Sequence, residues 1–526
     1  MTTLLLKDTR VLVLGLGESG LAMARWAARC GAAAVSAWDS RETAPNDAAL
    51  AQHLPSAVRL AGMLDAAALE GIGLVLKSPG LAPHDPRIAA ALQAGVPVHG
   101  ELELFAQALA ALKAERGYDP KLIAITGTNG KTTTTAMTAL LVERAGLRVA
   151  VAGNIGPTML QTLADALDAE AEADTEVDDR TDDAATRVAL PEAWVLELSS
   201  FQLDGVTGFE PHAAAVLNVS EDHLDWHGSM DAYVAAKARV FGAHAVMVVN
   251  RDDAQVERMV PQAPVPVGKG RAPKFVPRAV LRFGLDAPRR AGDYGLVSES
   301  GMAWLVRALE RDETVRRGKG QPAEELHLQR LMPADALRLR GRHNAANALA
   351  ALALAGAVGC ALAPMLHGLR EYRGEPHRVE PVGSVDGIDA FDDSKGTNVG
   401  ATVAALLGLG DDRAPAKLVV ILGGDGKGQD FAPLASPVRR HARAVATLGR
   451  DAGRIEAVLA ASGVPLQRFE TLEAATRWCF AQARPGDAVL LSPACASFDM
   501  FRNYGHRAEV FCAEVRAIEH EHGVVV

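Results

Sequence analysis

Short apolar runs alternate with alanine- and leucine-rich stretches along almost the whole chain. The runs end in or just before Gly, Ser or Asn and read VLVLGLG, LVLKSPG, LIAITGT, WVLELSS, AAVLNVS, AVMVVN, LVVILGG and AVLLSP. Continuous apolar runs of this length are typical of strands that are covered on both faces, and the stretches between them are helical in character. The pattern predicts an α/β protein with mostly parallel sheets and helices on both faces of each sheet.

Two polar stretches divide this alternation into three parts. AERGYDPK near residue 115 and YRGEPHRVEPV at 372–382 interrupt the apolar periodicity, which predicts domains at 1–112, 113–374 and 375–526. We expect two insertions in the central part, near 165–190 and near 286–328, where charged residues replace the apolar pattern. Polar motifs in such domains collect just past the carboxyl ends of the strands.

The segment LIAITGTNGKTTTTAM, residues 122–137, has the pattern of a phosphate-binding turn. A strand leads into Gly127, Thr128, Asn129 and Gly130, and a helix then opens with Lys131, Thr132 and Thr133. Backbone N–H groups and the helix N-terminus attract phosphate, the lysine adds a point charge, and a threonine hydroxyl can ligate Mg²⁺. The spacing departs from the standard P-loop, because Ile125 stands where that pattern has its first glycine.

VLVLGLGESG near the N-terminus places Gly15, Gly17 and Gly20 between a strand and a helix, and Asp39 follows. This arrangement matches the dinucleotide fingerprint of a Rossmann-like domain. Taken alone it indicates NAD. A separate phosphate site about 110 residues downstream leaves a second interpretation open, in which the domain binds a nucleotide-linked substrate.

Further polar motifs follow other strands. LELSSFQL provides Glu197, which could share a Mg²⁺ ion with Thr132, and NVSEDHLDWHG clusters acids and imidazoles that could serve a metal or merely cap a helix. GRHNAANALAA sets Asn344 and Asn347 one helical turn apart, which suits either a nucleotide or helix capping. FDDSKGTNVGA, GGDGKG and LSPACASFDMFRNYGHR supply polar groups to the last domain.

Composition and charge exclude several classes of function. The net charge is −10, and residues 165–183 alone carry ten carboxylates and one arginine, which argues against a nucleic-acid surface and predicts a solvated insertion there. Five cysteines without metal-ligand spacing fit free thiols in a reducing compartment. The N-terminus has too short an apolar run for a signal peptide, and the alanine-rich stretch 345–366 predicts a buried helix rather than a membrane span.

The motifs together resemble the Mur ligase family. The resemblance rests on TGTNGKTT, AGNIG, LELSSFQL, NVSEDHLDWHGS, AAKARVF, GRHNAANA, PHR, DDSKGTN, GGDGKG and SPACASFDMFRNYGHR, which occur in this order over nearly the whole chain. It implies an N-terminal Rossmann-like domain, a central P-loop-type ATPase domain and a C-terminal Rossmann-like domain. The last motif is similar to that of the members that add D-glutamate to UDP-N-acetylmuramoyl-L-alanine. The departures are Ser40 for Thr, Gly396 for Ala and Tyr504 for Phe.

The resemblance also implies roles for individual residues. Those implied to be catalytic are Lys131, Glu197, His223, a carbamylated Lys237 and Lys395. Those implied to bind ATP are Gly127, Thr128, Asn129, Gly130, Lys131, Thr132, Thr133, Asn344, Asn347, Arg378 and Asp393. Those implied to bind the UDP-sugar are Gly17, Ser19, Asp39, Ser40, Arg41, Ser78, Gly80 and Asn154, and those implied to bind D-glutamate are Thr397, Lys427, Ser497 and Tyr504. Two Mg²⁺ ions would be held by Thr132 and Glu197 and by His223 and the modified Lys237.

The activity that the resemblance implies is an ATP-dependent amide ligation in peptidoglycan precursor synthesis, which passes through an acyl phosphate. It further implies a cytoplasmic monomer whose partners are ATP, D-glutamate and UDP-N-acetylmuramoyl-L-alanine, without nucleic acid. From the residues alone, Lys237 reads as a solvated helix lysine and Lys427 as a solvent-facing loop lysine. An NAD-dependent oxidoreductase and a nucleotide-binding regulator without catalysis remain the alternatives.

Overall fold

The computed structural model describes residues 6–62, 66–176, 190–262, 265–267, 274–276, 278–310, 326–339 and 341–523. Three larger sheets follow one another along the chain, and each is flanked by helices. The prediction of an α/β protein with three domains and mostly parallel sheets is confirmed. No helix in the described ranges combines the length and the apolar character that crossing a membrane requires.

The first sheet has five parallel strands in the order β3-β2-β1-β4-β5. Its middle strand is buried on both faces, because Val11 and Val13 pack into one apolar cluster and Leu12 and Leu14 into another. The elements are β1 (Arg10–Leu14), α1 (Glu18–Arg29), β2 (Ala34–Trp38), α2 (Asp47–His53), β3 (Val58–Leu60), β4 (Leu74–Lys77), α3 (Pro86–Gln93) and β5 (Val98–His99).

Helix α4 (Glu101–Arg116) connects the first sheet to the central one and ends at Gly117, which has a φ of 70°. Two buried carboxylates near its start fasten it to the central domain. Glu101 accepts a hydrogen bond from the backbone N–H of Leu160 at 3.0 Å, and Glu103 accepts one from the N–H of Thr207 at 2.9 Å. The expected boundary at residue 112 therefore falls within a continuous helix.

The central sheet has six parallel strands in the order β13-β10-β9-β6-β8-β7. Its strands are β6 (Lys121–Thr126), β7 (Val149–Gly153), β8 (Ala193–Glu197), β9 (Ala213–Val216), β10 (Val246–Asn250) and β13 (Val280–Phe283), while β11 (Val265–Val267) and β12 (Lys274–Val276) form a separate antiparallel pair. Its helices are α5 (Lys131–Arg144), α6 (Met159–Glu176), α7 (Ser200–Leu203), α8 (Leu224–His227), α9 (Met230–Ala238), α10 (Ala254–Glu257), α11 (Arg342–Ala357) and α12 (Leu362–Glu371).

The alanine-rich helix α11 is the core of the central domain rather than a membrane span, as the sequence predicts. Residues 348–355 are all fully buried, and small alanine side chains let the helix lie close to the sheet and to α5.

Part of the expected insertion at 286–328 is an ordered antiparallel sheet. Its strands β14 (Tyr294–Glu299), β15 (Met302–Glu310) and β16 (Leu326–Pro333) contribute Leu305 and Met332 to the core around α11. The turn between β14 and β15 has positive φ at both Ser300 (51°) and Gly301 (80°), which is the conformation of a tight hairpin. Residues 311–325 lie outside the described residues.

The first half of the acidic segment 165–183 is helical, which differs from the expected solvated insertion. It continues α6, whose apolar residues Met159, Leu160 and Leu163 are buried against the neighbouring helices. Asp168 pairs with Arg29 at 2.6 Å and Glu170 pairs with Arg116, so part of the negative charge faces arginines of α1 and α4. Residues 177–189 lie outside the described residues.

The C-terminal sheet has six strands in the order β17-β18-β22-β19-β20-β21, and only its edge strand β17 runs antiparallel. Its strands are β17 (Glu380–Val385), β18 (Ile388–Asp392), β19 (Leu418–Gly423), β20 (Ala442–Leu448), β21 (Leu466–Arg468) and β22 (Ala488–Leu491). Its helices are α13 (Val399–Arg413), α14 (Ala435–His441), α15 (Ala452–Leu459), α16 (Leu472–Gln482) and α17 (Tyr504–Glu521).

Candidate active site

The phosphate-binding turn lies between β6 and α5, as the sequence predicts. Gly130 caps the helix with a φ of 81°, and a Cβ at this position would lie 2.7 Å from the side-chain oxygen of Asn347. A larger residue is therefore excluded twice, by backbone conformation and by the neighbouring asparagine. The turn can bring its backbone N–H groups close to a phosphate.

Asn218, which the sequence analysis did not single out, shapes this turn. Its side chain accepts a hydrogen bond from the N–H of Asn129 at 2.8 Å and donates one to the Asn129 carbonyl at 3.0 Å, while its own carbonyl accepts from the N–H of Thr128. Asn218 follows strand β9 at the same sheet edge, so only the strand order reveals the contact. The turn is thus held in shape by a neighbouring strand.

Lys131 folds back over the turn that precedes it. Its Nζ donates hydrogen bonds to the carbonyls of Gly127 and Thr128, both at 3.0 Å. Burial lowers the pKa of Lys131, and the charge of Glu197 opposes that effect. The amine is positioned to leave these carbonyls for a phosphate oxygen.

Glu197 and Thr132 lie beside the turn and offer oxygen atoms to a cation. Glu197 is 2% exposed and accepts a hydrogen bond from Asn154 at 2.6 Å through Oε1, whereas its Oε2 has no partner among the described residues. The Thr132 hydroxyl accepts a hydrogen bond from Arg378 at 2.5 Å. A buried carboxylate oxygen without a partner is costly, and hard oxygen donors suit Mg²⁺, so these residues fit the implied ion.

Lys237 lies beneath the turn, and its interpretation as a solvated lysine is wrong. The side chain is 1% exposed, donates a hydrogen bond to the Gly127 carbonyl at 2.9 Å and lies 4.5 Å from the ring centroid of Tyr233. Burial lowers the pKa of Lys237 well below its usual value, and the nearby charge of Lys131 acts in the same direction. A neutral amine is the form that reacts with CO₂, so the surroundings fit the implied carbamylation.

His223 occupies the turn before α8 and has a φ of 54°. Its Nε2 lies 3.5 Å from a carboxylate oxygen of Asp222, and its ring contacts Phe201 with centroids 4.7 Å apart. Burial lowers the pKa of His223; Asp222 opposes this, and three lysines, Lys427, Lys131 and Lys237, lower it further. An imidazole kept neutral is the form that ligates a metal.

A cavity lies between the turn, the start of α11 and the C-terminal domain. Asn344, Asn347, Arg378 and Asp393, all expected to bind ATP, line it together with Asn129, Gly130 and Thr133. His343, Glu375 and Ala404 also line it, although the sequence analysis did not assign them. Burial raises the pKa of Asp393 to about 7, and a hydrogen bond from Ser492 at 2.6 Å opposes the shift.

The N-terminal domain has its own cavity, of about 690 Å³, at the end of β2. Asp39, Ser40 and Arg41 line it with Trp38, and two further arginines, Arg59 and Arg87, were not expected there. Asp39 accepts hydrogen bonds from the Leu16 N–H at 2.7 Å and from the Arg41 side chain at 2.8 Å, and the Arg41 hydrogen bond lowers the pKa of Asp39.

The glycines of the fingerprint have separate physical roles. A Cβ on Gly20 would collide with the Gly15 carbonyl, and one on Gly15 would lie 2.9 Å from Cβ of Ser78, whereas one on Gly17 would meet nothing within 4 Å. The Ser78 hydroxyl donates to the Gly15 carbonyl at 2.7 Å. Gly17 therefore leaves open space at the start of α1, where a pyrophosphate can approach the backbone.

The first and central domains meet next to the loop that carries Gly15 and Gly17. The indole N–H of Trp226 donates to the carbonyl of Gly80 at 3.4 Å, and the hydroxyl of Ser19 lies against the carboxylate of Glu101. Asn154, the remaining residue expected to bind the UDP-sugar, lies in the central domain and contacts Glu197. The expected UDP-sugar residues thus extend from the N-terminal cavity towards the phosphate-binding turn.

The residues expected to bind D-glutamate lie at the carboxyl edge of the C-terminal sheet, three of them on loops and Tyr504 at the start of α17. Nζ of Lys395 is 5.4 Å from the ring centroid of Tyr504, and burial lowers the pKa of this lysine while Glu197 opposes the shift. Ser497 is buried, Thr397 is half-buried, and Lys427 is exposed with a φ of 51°. The charge of Lys427 acts on His223, so this lysine faces the central domain.

Two further residues hold these loops in place and carried no local sequence signal. Arg507 is 1% exposed and donates hydrogen bonds to the carbonyls of Ser394 at 2.7 Å and Cys495 at 3.1 Å, which ties together the loops that carry Lys395 and Ser497. Asn398 donates to the side-chain oxygen of Asn129 at 3.0 Å and so joins the C-terminal domain to the phosphate-binding turn.

The fold and the site define a three-domain nucleotide-binding α/β protein in which a phosphate-binding turn faces a domain on either side. Family models match all three parts of the chain: "Mur ligase MurD-like, N-terminal domain" at residues 9–100, "Mur ligase middle domain" at 125–269 and "Mur ligase, glutamate ligase domain" at 377–495.

Curated relatives match along nearly the full length. The UDP-N-acetylmuramoylalanine–D-glutamate ligase of Albidiferax ferrireducens is 60% identical over 514 residues, which cover 97% of this chain and 96% of that protein. The ligase of the same name from Burkholderia pseudomallei is 57% identical and covers 98% of each chain. The chain therefore belongs to the Mur ligase family.

Solved structures agree on the fold. The UDP-N-acetylmuramate–alanine ligase MurC of Thermotoga maritima superimposes with a TM-score of 0.55 at 20% identity, and the match covers 97% of this chain and 99% of that one. The MurF ligase of the same organism, in complex with ADP, also has a TM-score of 0.55, at 16% identity, and covers 98% and 99%.

Proposed function

We propose that this enzyme uses ATP to join D-glutamate to UDP-N-acetylmuramoyl-L-alanine, in the synthesis of peptidoglycan precursors. The observation that carries the proposal is the convergence of three sets of groups on one turn. Asn154 bonds Glu197 beside the turn from the sugar-nucleotide side, Lys131 lies on the turn, and Arg378 of the C-terminal domain bonds Thr132 just after it. Relatives at 60% and 57% identity bear the name of this activity.

ATP occupies the cavity beside the turn in this proposal. The backbone N–H groups from Gly127 to Gly130 hold the phosphates. The first turn of α5, which contains Thr133, adds further N–H groups. Asn344, Asn347, Arg378 and Asp393 line the same cavity and bind the remainder of the nucleotide. Arg378 is well placed to move from the Thr132 hydroxyl to a phosphate oxygen.

The sugar nucleotide binds with its pyrophosphate at Gly17 and Ser19 and with its uridine end near Asp39, Ser40 and Arg41. Ser78, whose hydroxyl bonds the Gly15 carbonyl, and Gly80 would contact the same substrate beside this loop, and Asn154 would contact the part nearest to the turn. This placement directs the L-alanyl carboxylate towards the γ-phosphate of ATP. A carboxylate oxygen then attacks the γ-phosphorus, and ADP leaves.

The resulting acyl phosphate is attacked by the amine of D-glutamate. The nitrogen forms a bond to the acyl carbon, the bond from that carbon to the phosphate oxygen breaks, and inorganic phosphate departs. Negative charge builds on the phosphoryl group and on the tetrahedral intermediate, and Lys131 and Lys395 offset it from two sides. Removing either positive charge is expected to lower kcat by at least a hundredfold.

Thr132 and Glu197 would hold one Mg²⁺ ion, and His223 and a carbamylated Lys237 would hold a second. When bound, these ions supply positive charge that neutralises the phosphoryl oxygens. Carbamylation joins the neutral amine of Lys237 to CO₂ and releases one proton, which converts a buried amine into a carboxylate. The unpaired Oε2 of Glu197 and the buried position of Lys237 support this assignment.

D-glutamate binds between Lys395, Thr397, Lys427, Ser497 and Tyr504. Two carboxylates on the amino acid need cations and neutral donors, and these side chains provide both. We place the enzyme in the cytoplasm, where thiols stay reduced, because its five cysteines are free. We also propose that it is a monomer.

The proposal is tested by following phosphate release from ATP. We expect turnover only when both D-glutamate and UDP-N-acetylmuramoyl-L-alanine are present, and loss of turnover in Lys131→Ala. Lys113→Ala is the matched control, because that side chain is 61% exposed on α4 and pairs only with Asp119 at 2.8 Å among the described contacts. Phosphate release that does not require D-glutamate would contradict the assignment. Hydride transfer from NADH, or nucleotide binding without turnover, would favour the oxidoreductase or the regulator.

A further inference from the structure

The half-buried His377 and the buried Asp392 form a hydrogen-bonded pair that the proposed roles do not use. His377 Nδ1 lies 2.7 Å from Oδ2 of Asp392, whose side chain is fully buried. The other oxygen, Oδ1, accepts hydrogen bonds from the N–H of Ser394 at 2.9 Å and from its hydroxyl at 2.5 Å. Because both oxygens of Asp392 act as acceptors, Nδ1 of the imidazole carries a proton, and Nε2 is left with its lone pair.

The backbone holds the imidazole in a fixed place. His377 has a φ of 64°, its N–H donates to Oε2 of Glu380 at 2.8 Å, and its carbonyl accepts from the N–H of Lys395 at 3.2 Å. A non-glycine residue in this conformation persists only when its surroundings enforce it, and such positions cluster at functional sites.

The ring lies among the residues proposed for D-glutamate. It packs edge-to-face on Tyr504 with centroids 6.0 Å apart, and the same tyrosine ring lies 5.4 Å from Nζ of Lys395. The next residue, Arg378, contacts Thr132 at the phosphate-binding turn. His377 therefore stands between the amino-acid site and the phosphate site.

We propose that His377 accepts through Nε2 the proton that the D-glutamate amine must lose, and that Asp392 is the positioning residue that fixes its tautomer. This inference rests on the proposed function. When the neutral amine has bonded to the acyl carbon, its nitrogen bears one proton too many. That proton passes to Nε2, the nitrogen keeps the electron pair, and phosphate then leaves with the pair of the breaking C–O bond. The imidazolium that forms is stabilised by the Asp392 carboxylate.

Other charged groups around the imidazole balance one another. Glu380 and Asp392 are negative, and their oxygens lie with the His377 nitrogen within 4.8 Å of one another. Lys395 and Arg378 are positive, Tyr504 is neutral, and Glu375 acts on Lys395 from the nucleotide side. These three ligand-type groups could also surround a cation, but the direct hydrogen bond between Nδ1 and Oδ2 occupies the space between two of them.

Asp392→Asn tests the inference with little change in shape. An asparagine can still accept from Ser394 through its oxygen, but it presents an amide N–H₂ to Nδ1, which then must accept, so that Nε2 carries the proton and cannot take another. We expect kcat with D-glutamate to fall at least a hundredfold, while KM for ATP and for the sugar nucleotide changes less than threefold.

A weakly basic nucleophile, whose adduct with the acyl carbon is acidic enough to lose its excess proton to water, separates this role from a structural one. Hydroxylamine is neutral near pH 7 and traps the acyl phosphate as a hydroxamate, so Asp392→Asn should form hydroxamate at the wild-type rate. Asp389→Asn is the matched control on the same strand, because its carboxylate pairs with Arg413 at the surface, and it should leave both reactions unchanged. His377→Gln, with a half-buried side chain, repeats the test if the first variant does not fold.

Equal losses with D-glutamate and with hydroxylamine would overturn the inference, as would a kcat within threefold of the wild type. Failure of the proposed function is recognised separately. In that case the wild-type enzyme itself gives neither hydroxamate nor phosphate.

Discussion

Asp393→Asn should stabilise the C-terminal domain in a way that depends on pH. The wild-type carboxyl is 6% exposed, and burial raises its pKa from 3.8 to about 7, against a hydrogen bond from Ser492 and the charge of Arg378. A carboxyl group whose folded pKa is raised contributes its stability fully below the unfolded pKa, and this stability is lost as the pH rises through the folded pKa. The asparagine does not titrate, can accept the hydrogen bond from Ser492, and has nearly the same volume.

The size of the effect follows from the pKa shift. Each pKa unit is worth about 1.36 kcal/mol, so a shift from 3.8 to about 7 sets a ceiling on the order of 4 kcal/mol. Roughly two units of that window, or about 2.7 kcal/mol, lie between pH 5 and pH 7. For a domain of about 150 residues, this difference corresponds to roughly 5–10 °C in Tm.

Calorimetric scans of both proteins at pH 5 and pH 8, without nucleotide, measure this difference. The Tm of the transition that contains the C-terminal domain should be higher in the variant than in the wild type. This difference in Tm should be several degrees larger at pH 8 than at pH 5. At the same time KM for ATP should rise, because the ionised carboxylate is the better acceptor for a ribose hydroxyl. A gain in Tm that is the same at both pH values would refute the reasoning, since a packing effect does not titrate.

Three further predictions concern the two substrates and the carbamylation of Lys237. UDP-N-acetylmuramoyl-L-alanine should raise the Tm of the enzyme while NAD and NADP do not, and micromolar NAD binding by calorimetry would contradict the sugar-nucleotide assignment. Lys237→Ala should be nearly inactive and partly rescued by small carboxylic acids. A fully active Lys237→Ala variant would exclude a role for the carbamylated lysine. Lys427→Ala should raise KM for D-glutamate at least tenfold, the loss of one charge-assisted contact worth roughly 1.5–3 kcal/mol, with KM for the sugar nucleotide unchanged; a parallel rise in both constants would remove Lys427 from the amino-acid site.

The sequence predicted the sheets, and the sheet edges at which the polar motifs lie, because parallel strands bring their carboxyl ends to one edge. Gly130 follows β6, Glu197 ends β8, and Asn218 follows β9, which is the neighbour of β6 on its other side. Apolar runs that end in polar motifs thus predict both the strand and the position of the motif. The order of the strands, and hence which motifs touch, follows from tertiary packing and not from any single run.

Long-range and antiparallel features were not predictable in the same way. Apolar and polar residues alternate only weakly along strands β14 to β16. The hairpin turn between β14 and β15 consists of Ser300 and Gly301, a less distinctive pair than Asn-Gly. Arg507 and Asn398 act through bonds to residues 113 and 269 positions away, so no local window reveals them. The acidic half of α6 reads as coil from composition, because the arginines that pair with it, Arg29 and Arg116, lie elsewhere in the chain.

Lys237 shows most clearly how burial changes the chemistry of a residue. In AAKARVF the lysine stands on a short helix with no polar neighbour that would mark a site, and its helix periodicity does not place it inside. The structure puts its amine under the Gly127 carbonyl with Tyr233 on one side and Lys131 nearby. An ammonium in that position has a cation as neighbour and no carboxylate bonded to it among the described residues, so the charged form is disfavoured. A neutral amine remains, and conversion to a carbamate would give the side chain a negative charge and, in the proposed function, an oxygen ligand for the second Mg²⁺ ion.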